Sequence, residues 1–397
     1  MLNKGKRLII ITSFYPAEDR GKGPWSERFG GLYEPIFRKA TQEGVESYWY
    51  EVSTAKLHTA TPTGFAVHPL DLSSFIASHL SARRSDEGCI LIAYPFCRGS
   101  EIFASHRLMP ALRRSGVRIV LDFIDPPLMM ADLYAGRSLM GRLLTSILRH
   151  RERAYMKLAH TIVTNSPEMG AYLKQIYGLD WVNVVDVPMG VNIYDYVVSG
   201  TRWCRDEFTI AYGGTISADR GIANLIACVE RISERRHTRL LLCGRVHPPV
   251  RLPERTWLEV HPDLSYRQYA SMLANQAHVG IIPYPVNKWW GMVSISKVAT
   301  YAAAGVPILT LDLPHTSRFI SRWNCGEIAS SWEVMEQLLD RLNVDRERCR
   351  KLGDNARMAA EQALSWERVS KTLETLLFDH DSGVSPVTVP RRDLNVN

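Results

Sequence analysis

The stretch from His278 to Leu311 constrains this chain most, because it reads as strand, loop, short helix and strand with a lysine at the helix start. His278-Val-Gly-Ile-Ile-Pro-Tyr284 is a compact apolar run of strand length, residues 286–291 form a polar loop carrying Trp289 and Trp290, and Ile308-Leu-Thr-Leu311 is the next strand. Between them Ser294 or Ser296 is placed to cap a helix whose free N–H groups and dipole favour an anion, as at the carboxyl edge of a parallel sheet. Three alanines, residues 302–304, keep that helix slim; Gly305 suits the left-handed residue that ends it, and Pro307 forbids its continuation. Lys297 and Thr300, three residues apart, share one face of the first turns. A diphosphate would bind there; the plainer alternative is an ordinary βαβ unit with a solvated lysine.

A chain of 397 residues is too long for one typical domain and suits two of just under 200, which is the length of two Rossmann-like halves. Hydrophobic residues at 46% and charged residues at 22% exclude disorder for all but the C-terminal tail. The seven cysteines are odd in number and contain no Cys-x-x-Cys pair, which points to reduced thiols in a cytosolic protein and away from a zinc site. No apolar run approaches the length needed to span a bilayer, and Leu8-Ile-Ile-Ile-Thr12 reads as a first strand rather than a signal peptide.

The net charge of +7 implies an anionic partner. Residues 137–157 hold six Lys or Arg against the single Glu152 and read as a helix, with Leu139, Leu143, Leu144, Ile147 and Leu148 on one side and Arg142, Arg149 and Arg153 on the other. Such a helix either lies on an anionic membrane surface or packs on the core with a solvated basic face. Base-stacking aromatics do not interleave with the charges, so nucleic acid is the least favoured partner.

Strands are expected at residues 8–12, 46–52, 89–94, 117–123, 161–164 and 182–187 in the first half, with a helix over 26–42. The rhythm restarts at Phe208-Thr-Ile-Ala-Tyr-Gly213-Gly214 and continues through strands at 240–243 and 257–260, a helix at 265–277 and a last helix from about 354 to 378. Alternation of this kind predicts an α/β fold of mostly parallel sheets covered by helices. Residues 1–195 form the first domain, a linker runs over 193–206, residues 207–364 form the second, residues 365–380 a closing helix, and residues 381–397 a disordered tail.

At Lys297, Tyr301, Ala303, Gly305 and Pro307 the chain resembles nucleotide-sugar glycosyltransferases of the GT-B fold, whose family-4-like branch reads roughly Pro-x-Lys-x-x-Glu-Tyr-x-Ala-x-Gly-x-Pro-Val. Thr300 stands where that branch has a ribose-gripping Glu, and Met292 where it has its other frequent Glu. A smaller branch, the membrane-associated glucuronosyltransferases of exopolysaccharide synthesis, also tolerates a residue other than Glu there. The resemblance implies two Rossmann-like domains facing a cleft, with the last helix, carrying Ser365-Trp366, crossing back onto the first domain.

It also assigns residues. Gly213, Gly214 and Thr215 form a turn through which backbone amides approach phosphate, and Arg220 replaces the usual Lys of the following Lys-Gly pair, keeping the charge in a bidentate form. With Lys297 it would make a clamp needing no metal. Ser296 and Thr300 join the donor set; by position, Arg245 after its strand is either a donor contact or an exposed turn arginine, and Tyr284 at its strand tip either stacks on the nucleobase or packs under the loop. In Val120-Leu-Asp122-Phe-Ile-Asp125-Pro126, Asp125 is either a general base or a helix cap. Lys22, Trp25, Glu27 and Arg28 fall on the acceptor side by position in the fold.

The expected activity is transfer of a sugar from a nucleoside diphosphate, UDP- or GDP-linked and with no further cofactor, to an acceptor hydroxyl. The acceptor is expected on a lipid-linked saccharide in cell-surface polysaccharide synthesis, with the protein cytoplasmic and peripheral on the inner membrane face. If Asp125 is the base the anomer is inverted; otherwise it is retained. A GT-B-shaped epimerase and a non-catalytic nucleotide-binding protein are the alternatives. A dinucleotide oxidoreductase is disfavoured, because no strand runs into Gly-x-Gly-x-x-Gly with an acid about 20 positions on.

Overall fold

The computed structural model describes residues 6–13, 28–61, 64–80, 88–94, 99–124 and 139–378. They divide into two compact units, one built from residues up to Val187 together with 370–378, the other from Pro188–Val369.

In the first unit, β1 (Arg7–Thr12), β2 (Glu46–Glu51), β5 (Gly88–Tyr94), β6 (Arg118–Phe123), β7 (Thr161–Thr164) and β8 (Asn183–Asp186) pair in parallel. A hairpin of β3 (Lys56–Thr61) and β4 (Gly64–Pro69) adds two antiparallel strands at one edge, giving the order β4-β3-β2-β1-β5-β6-β7-β8. Leu8 to Ile11 are buried without alternation, as expected of a parallel strand covered on both faces. The hairpin is absent from the sequence expectations. Its signal was the turn-forming Pro62-Thr63-Gly64 between two short runs of Thr, His and apolar residues.

The second unit holds one six-stranded, wholly parallel sheet: β9 (Phe208–Gly213), β10 (Thr238–Cys243), β11 (Leu258–His261), β12 (Val279–Ile282), β13 (Ile308–Leu311) and β14 (Gly326–Ala329), in the order β11-β10-β9-β12-β13-β14. The chain builds outward from β9 through β10 and β11, then returns to the other side of β9 to lay down β12. The two neighbours β9 and β12 therefore flank a topological switch point, where loops part at the carboxyl edge and leave room for a ligand.

Several expectations need correction. Residues 193–206 are not a free linker but two 3-10 turns, Ile193–Asp195 and Thr201–Cys204, inside the second unit. Arg202 is buried there and donates to the carbonyls of Leu273, Ala277, Ala304 and Gly305, so it closes the ends of two helices at once. The helix expected over 354–378 is two helices, Arg346–Ala359 and Trp366–Phe378, parted by a π turn at Ala360–Leu364 and an extended Ser365. The break has a cause: Val191 donates to the Leu364 carbonyl and accepts from the Trp366 amide, so strand-like pairing with residue 191 replaces helical bonds. The first helix begins, among the described residues, with a π turn at Phe29–Tyr33 before Glu34–Gln42.

Candidate functional site

β9 and β12 bring several of the residues expected at a donor site to the switch point. Lys297 enters from the helix Ser296–Ala303, Arg220 from the 3-10 turn Ala218–Arg220, and Tyr284 from just beyond β12. Lys297 Nζ donates to Tyr284 Oη at 2.6 Å, and Arg220 Nη1 donates to the same oxygen at 3.0 Å. Two cations from different elements thus meet on one phenol.

Aromatic faces surround them. Lys297 Nζ lies 5.1 Å from the ring centres of both Tyr212 and Tyr284, and the Arg220 guanidinium 5.5 Å from those of Tyr284 and Trp290. Tyr284 and Trp290 are themselves 4.1 Å apart, Trp290 being held on the short helix Lys288–Met292 that Asn287 caps. That helix replaces most of the loop expected at 286–291. Lys297 is only 7% exposed, so the solvated-lysine alternative fails on burial alone. Arg220 is half-buried, and its Nε is a buried donor with no hydrogen-bond partner, a vacancy that an incoming acceptor would fill.

The glycine turn is shaped for this. Gly214 has φ of +123°, and a Cβ there would sit 2.7 Å from Lys297 Nζ, so any side chain would displace the cation. Gly221 has φ of +72° and is pressed against the Pro283 carbonyl, which fixes Arg220 beside the end of β12. Tyr301 braces the floor: its hydroxyl accepts from the Gly213 amide at 3.2 Å and donates to the Ile281 carbonyl at 3.1 Å. Burial raises the Tyr284 pKa, yet Lys297 and Arg220 together outweigh it and hold the phenol below the ordinary tyrosine value. Tyr212, buried and facing Tyr284, is pushed well above it.

Other expected residues take different roles. Neither Ser294 nor Ser296 caps the helix: Ile295 stands at the N-cap with no side-chain bond, Ser296 is the first helical residue, and the Ser294 hydroxyl accepts from the Met189 amide. The first amides of Ser296–Ala303 consequently lack a side-chain acceptor at that cap. The Thr300 hydroxyl donates to the Lys297 carbonyl at 3.2 Å, bracing the backbone that carries the lysine. Thr215 contributes its carbonyl to the Tyr212 hydroxyl at 2.7 Å, and Arg245 is exposed. Tyr212 and Trp290 were not among the residues assigned to the donor from sequence. The signal for Tyr212 was its place directly before Gly213-Gly214, where a strand residue borders the turn.

In the first unit Arg28 is not open to an acceptor. It is fully buried, with Nε 2.7 Å from Asp122 Oδ2, Nη2 3.1 Å from Oδ1, and Nη1 donating to the Val187 carbonyl. Tyr33 donates to the same carboxylate. Asp122 is therefore engaged from both sides, while Lys22, Trp25, Glu27 and Asp125 lie outside the described residues.

The basic helix, Leu139–Met156, is seated by Arg151, Glu152, Tyr155 and Met156, with Tyr177 donating to Glu152. Four of its apolar residues face solvent: Leu139 is 85% exposed, Met140 74%, Leu143 56% and Ile147 53%, next to the exposed Arg142, Arg149 and Arg153. Leu148, on the same side, is half-buried. No helix among the described residues is long and apolar enough to cross a membrane.

No family model matches the sequence, and no curated protein matches it. The fold does have relatives. Sucrose-phosphate synthase from Thermosynechococcus elongatus superimposes with a TM-score of 0.66 at 15% identity over 94% of this chain and 98% of that one. WaaG, a glycosyltransferase involved in lipopolysaccharide biosynthesis, gives 0.60 at 13% identity over 94% and 100%. Anabaena HepE in complex with UDP gives 0.60 at 11% identity over 93% and 99%. The chain has the two-sheet α/β fold of these GT-B proteins.

Proposed function

We propose that the protein is a glycosyltransferase that takes a sugar from a nucleoside diphosphate donor. The observation that carries this is the convergence of Lys297 and Arg220 on one point beside Gly214, at the switch point of a parallel sheet. A diphosphate presents acceptors to both cations, to the buried Arg220 Nε and to the helix amides at Ile295. Fold relatives hold UDP and UDP-glucose, which supports a nucleotide-sugar donor and favours uridine over guanosine. Calorimetry with UDP, GDP and their sugars tests the reading. Micromolar binding of one nucleoside diphosphate is expected, and failure of both to bind would remove it.

The acceptor is a lipid-linked saccharide presented at an anionic membrane surface, in polysaccharide synthesis. The exposed apolar stripe of Leu139–Met156 beside three arginines supports this, since it pairs insertion with phosphate attraction in one helix. The protein then works as a peripheral enzyme on the cytoplasmic face. Asp125 serves as general base in an inverting displacement: Asp125→Asn is expected to lower turnover by about 10²–10⁴-fold with normal donor affinity. A retained anomer in the product, or near-normal turnover in the variant, would exclude that role.

A further inference from the structure

Tyr284 poses a question that the donor reading leaves open. Its oxygen already occupies the spot where Lys297 and Arg220 aim their donors, and only 1% of the residue is exposed. A hydroxyl that accepts from two cations must aim its own O–H elsewhere, and the group facing it is Tyr212, whose own hydroxyl donates to the Thr215 carbonyl at 2.7 Å. The charged and titratable groups around the Tyr284 oxygen are thus Lys297 from the helix, Arg220 from the 3-10 turn, Tyr212 from β9 and, farther off, Tyr301; Trp290 covers the ring. Asp219, on the same 3-10 turn, acts on Arg220 as a standing carboxylate, and ionisation of a phenol would add a second negative charge.

We propose that the Tyr284 hydroxyl is a positioning residue that doubles as a competitor for the donor's diphosphate: as phenol it spaces Lys297 and Arg220 for phosphate oxygens, and as phenolate it takes their charge for itself. The inference rests on the donor reading above. Binding an anion to the phenolate form then requires Tyr284 to regain a proton from solvent, with no bond made or broken beyond that O–H. Donor affinity becomes linked to one proton, and alkaline pH releases the nucleotide. The cations also explain why this phenol ionises early.

The test is calorimetry of UDP against the full chain from pH 7 to about 10, the ordinary tyrosine pKa, with wild type and Tyr284→Phe. Wild-type affinity is expected to fall toward about tenfold per pH unit once the phenolate dominates, with uptake of about one proton per UDP. The phenylalanine variant is expected to stay flat over the same range, with no proton uptake. Parallel slopes in the two proteins would overturn the proposal. A second measurement stands apart from nucleotide binding: in an ultraviolet titration of the tyrosines, the first phenolate to form should vanish in Tyr284→Phe and shift upward in Lys297→Met. Unchanged titration curves would sink the role of Tyr284 even if UDP binds. Loss of UDP binding by all three proteins at pH 7, with the titration as expected, would instead locate the failure in the donor reading.

Discussion

In the first unit Arg28 is sealed from solvent and meets Asp122 through a two-point ion pair, with Tyr33 and the Val187 carbonyl completing the set. In the second, Lys297 and Arg220 are also withdrawn from water, yet they converge on a phenol. Burying a charge costs several kcal/mol unless a counter-charge and hydrogen bonds offset it. Arg28 has both and so fastens the helix start to β6 and to the end of β8. The Lys297 and Arg220 pair brings two like charges to one phenol oxygen, with Asp219 beside Arg220, and two cations held this close gain stability when an anion bridges them. Similar residue types thus close an ion pair in one sheet and, on the proposed function, meet a ligand in the other. What separates them is the nearest acceptor.

Asp122→Ala strikes the sealed ion pair of the first unit directly. Removing one partner of a fully buried ion pair leaves Arg28 uncompensated and is expected to cost about 3–5 kcal/mol in denaturant unfolding. Arg28→Met combined with Asp122→Leu should recover most of the loss, because the charges act on stability alone. A single variant that unfolds normally would show Asp122 to be as loosely committed as the Lys297 cluster.

Changing Arg142, Arg149 and Arg153 together to Glu extends the contrast to exposed cations. Near an anionic bilayer each basic residue is worth about 1 kcal/mol, so vesicle affinity should fall at least a hundredfold while UDP binding is kept. Equal sedimentation with phosphatidylserine vesicles before and after the change would leave Leu139–Met156 without its membrane role.

Lys297→Met keeps most of the side-chain volume and removes the charge. The expected loss in UDP affinity is about 1.5–3 kcal/mol, the value of a charge-assisted bond to phosphate, with little change in melting temperature. A strong fall in stability instead would put Lys297 in the same class as Arg28, and the comparison between the units would collapse.

The second unit was the more legible of the two from sequence. β13 falls on the residues expected, and so does β7 in the first unit, because each is a short apolar run bounded by turn or helix-end signals. Lys297 and Tyr284 stood out because one opens a helix and the other follows a strand, and Arg220 because Arg220-Gly221 resembles a Lys-Gly pair; the structure brings the three together. Two kinds of feature escaped. Arg28 and Arg202 carry charges whose main acceptors, Asp122 and the Leu273 carbonyl among them, lie more than 70 residues away, so little near them in sequence marks them as buried. Ser294 and Ser296 looked like caps because serine is a good one, but the chain turns into the helix at Ile295 and leaves both hydroxyls out of register. Contacts of long range decide these cases, and local preference has no access to them.

His278 supplies a third mode of burial, a titratable group kept neutral, and the smallest of the effects. Its Nδ1 accepts from the Thr209 amide at 3.0 Å and its Nε2 faces the Arg202 carbonyl at 2.7 Å, which fixes the neutral tautomer with the proton on Nε2. Protonating Nδ1 would set N–H against N–H. Burial, with Arg346 nearby, pulls the pKa down to about 3, below the unfolded value of about 6.5. In that window the unfolded chain binds the proton that the folded chain refuses, so stability is complete above about pH 6.5 and is lost as pH falls toward 3. Between pH 6.5 and 5.5 the expected loss is about 1 kcal/mol. His278→Asn should be less stable than the parent at pH 7.5 but should lack this part of the slope, as read by urea unfolding at the two pH values. An identical slope in the variant would mean that another group sets the acid response, and that the neutrality of His278 contributes nothing to how the second unit tolerates burial.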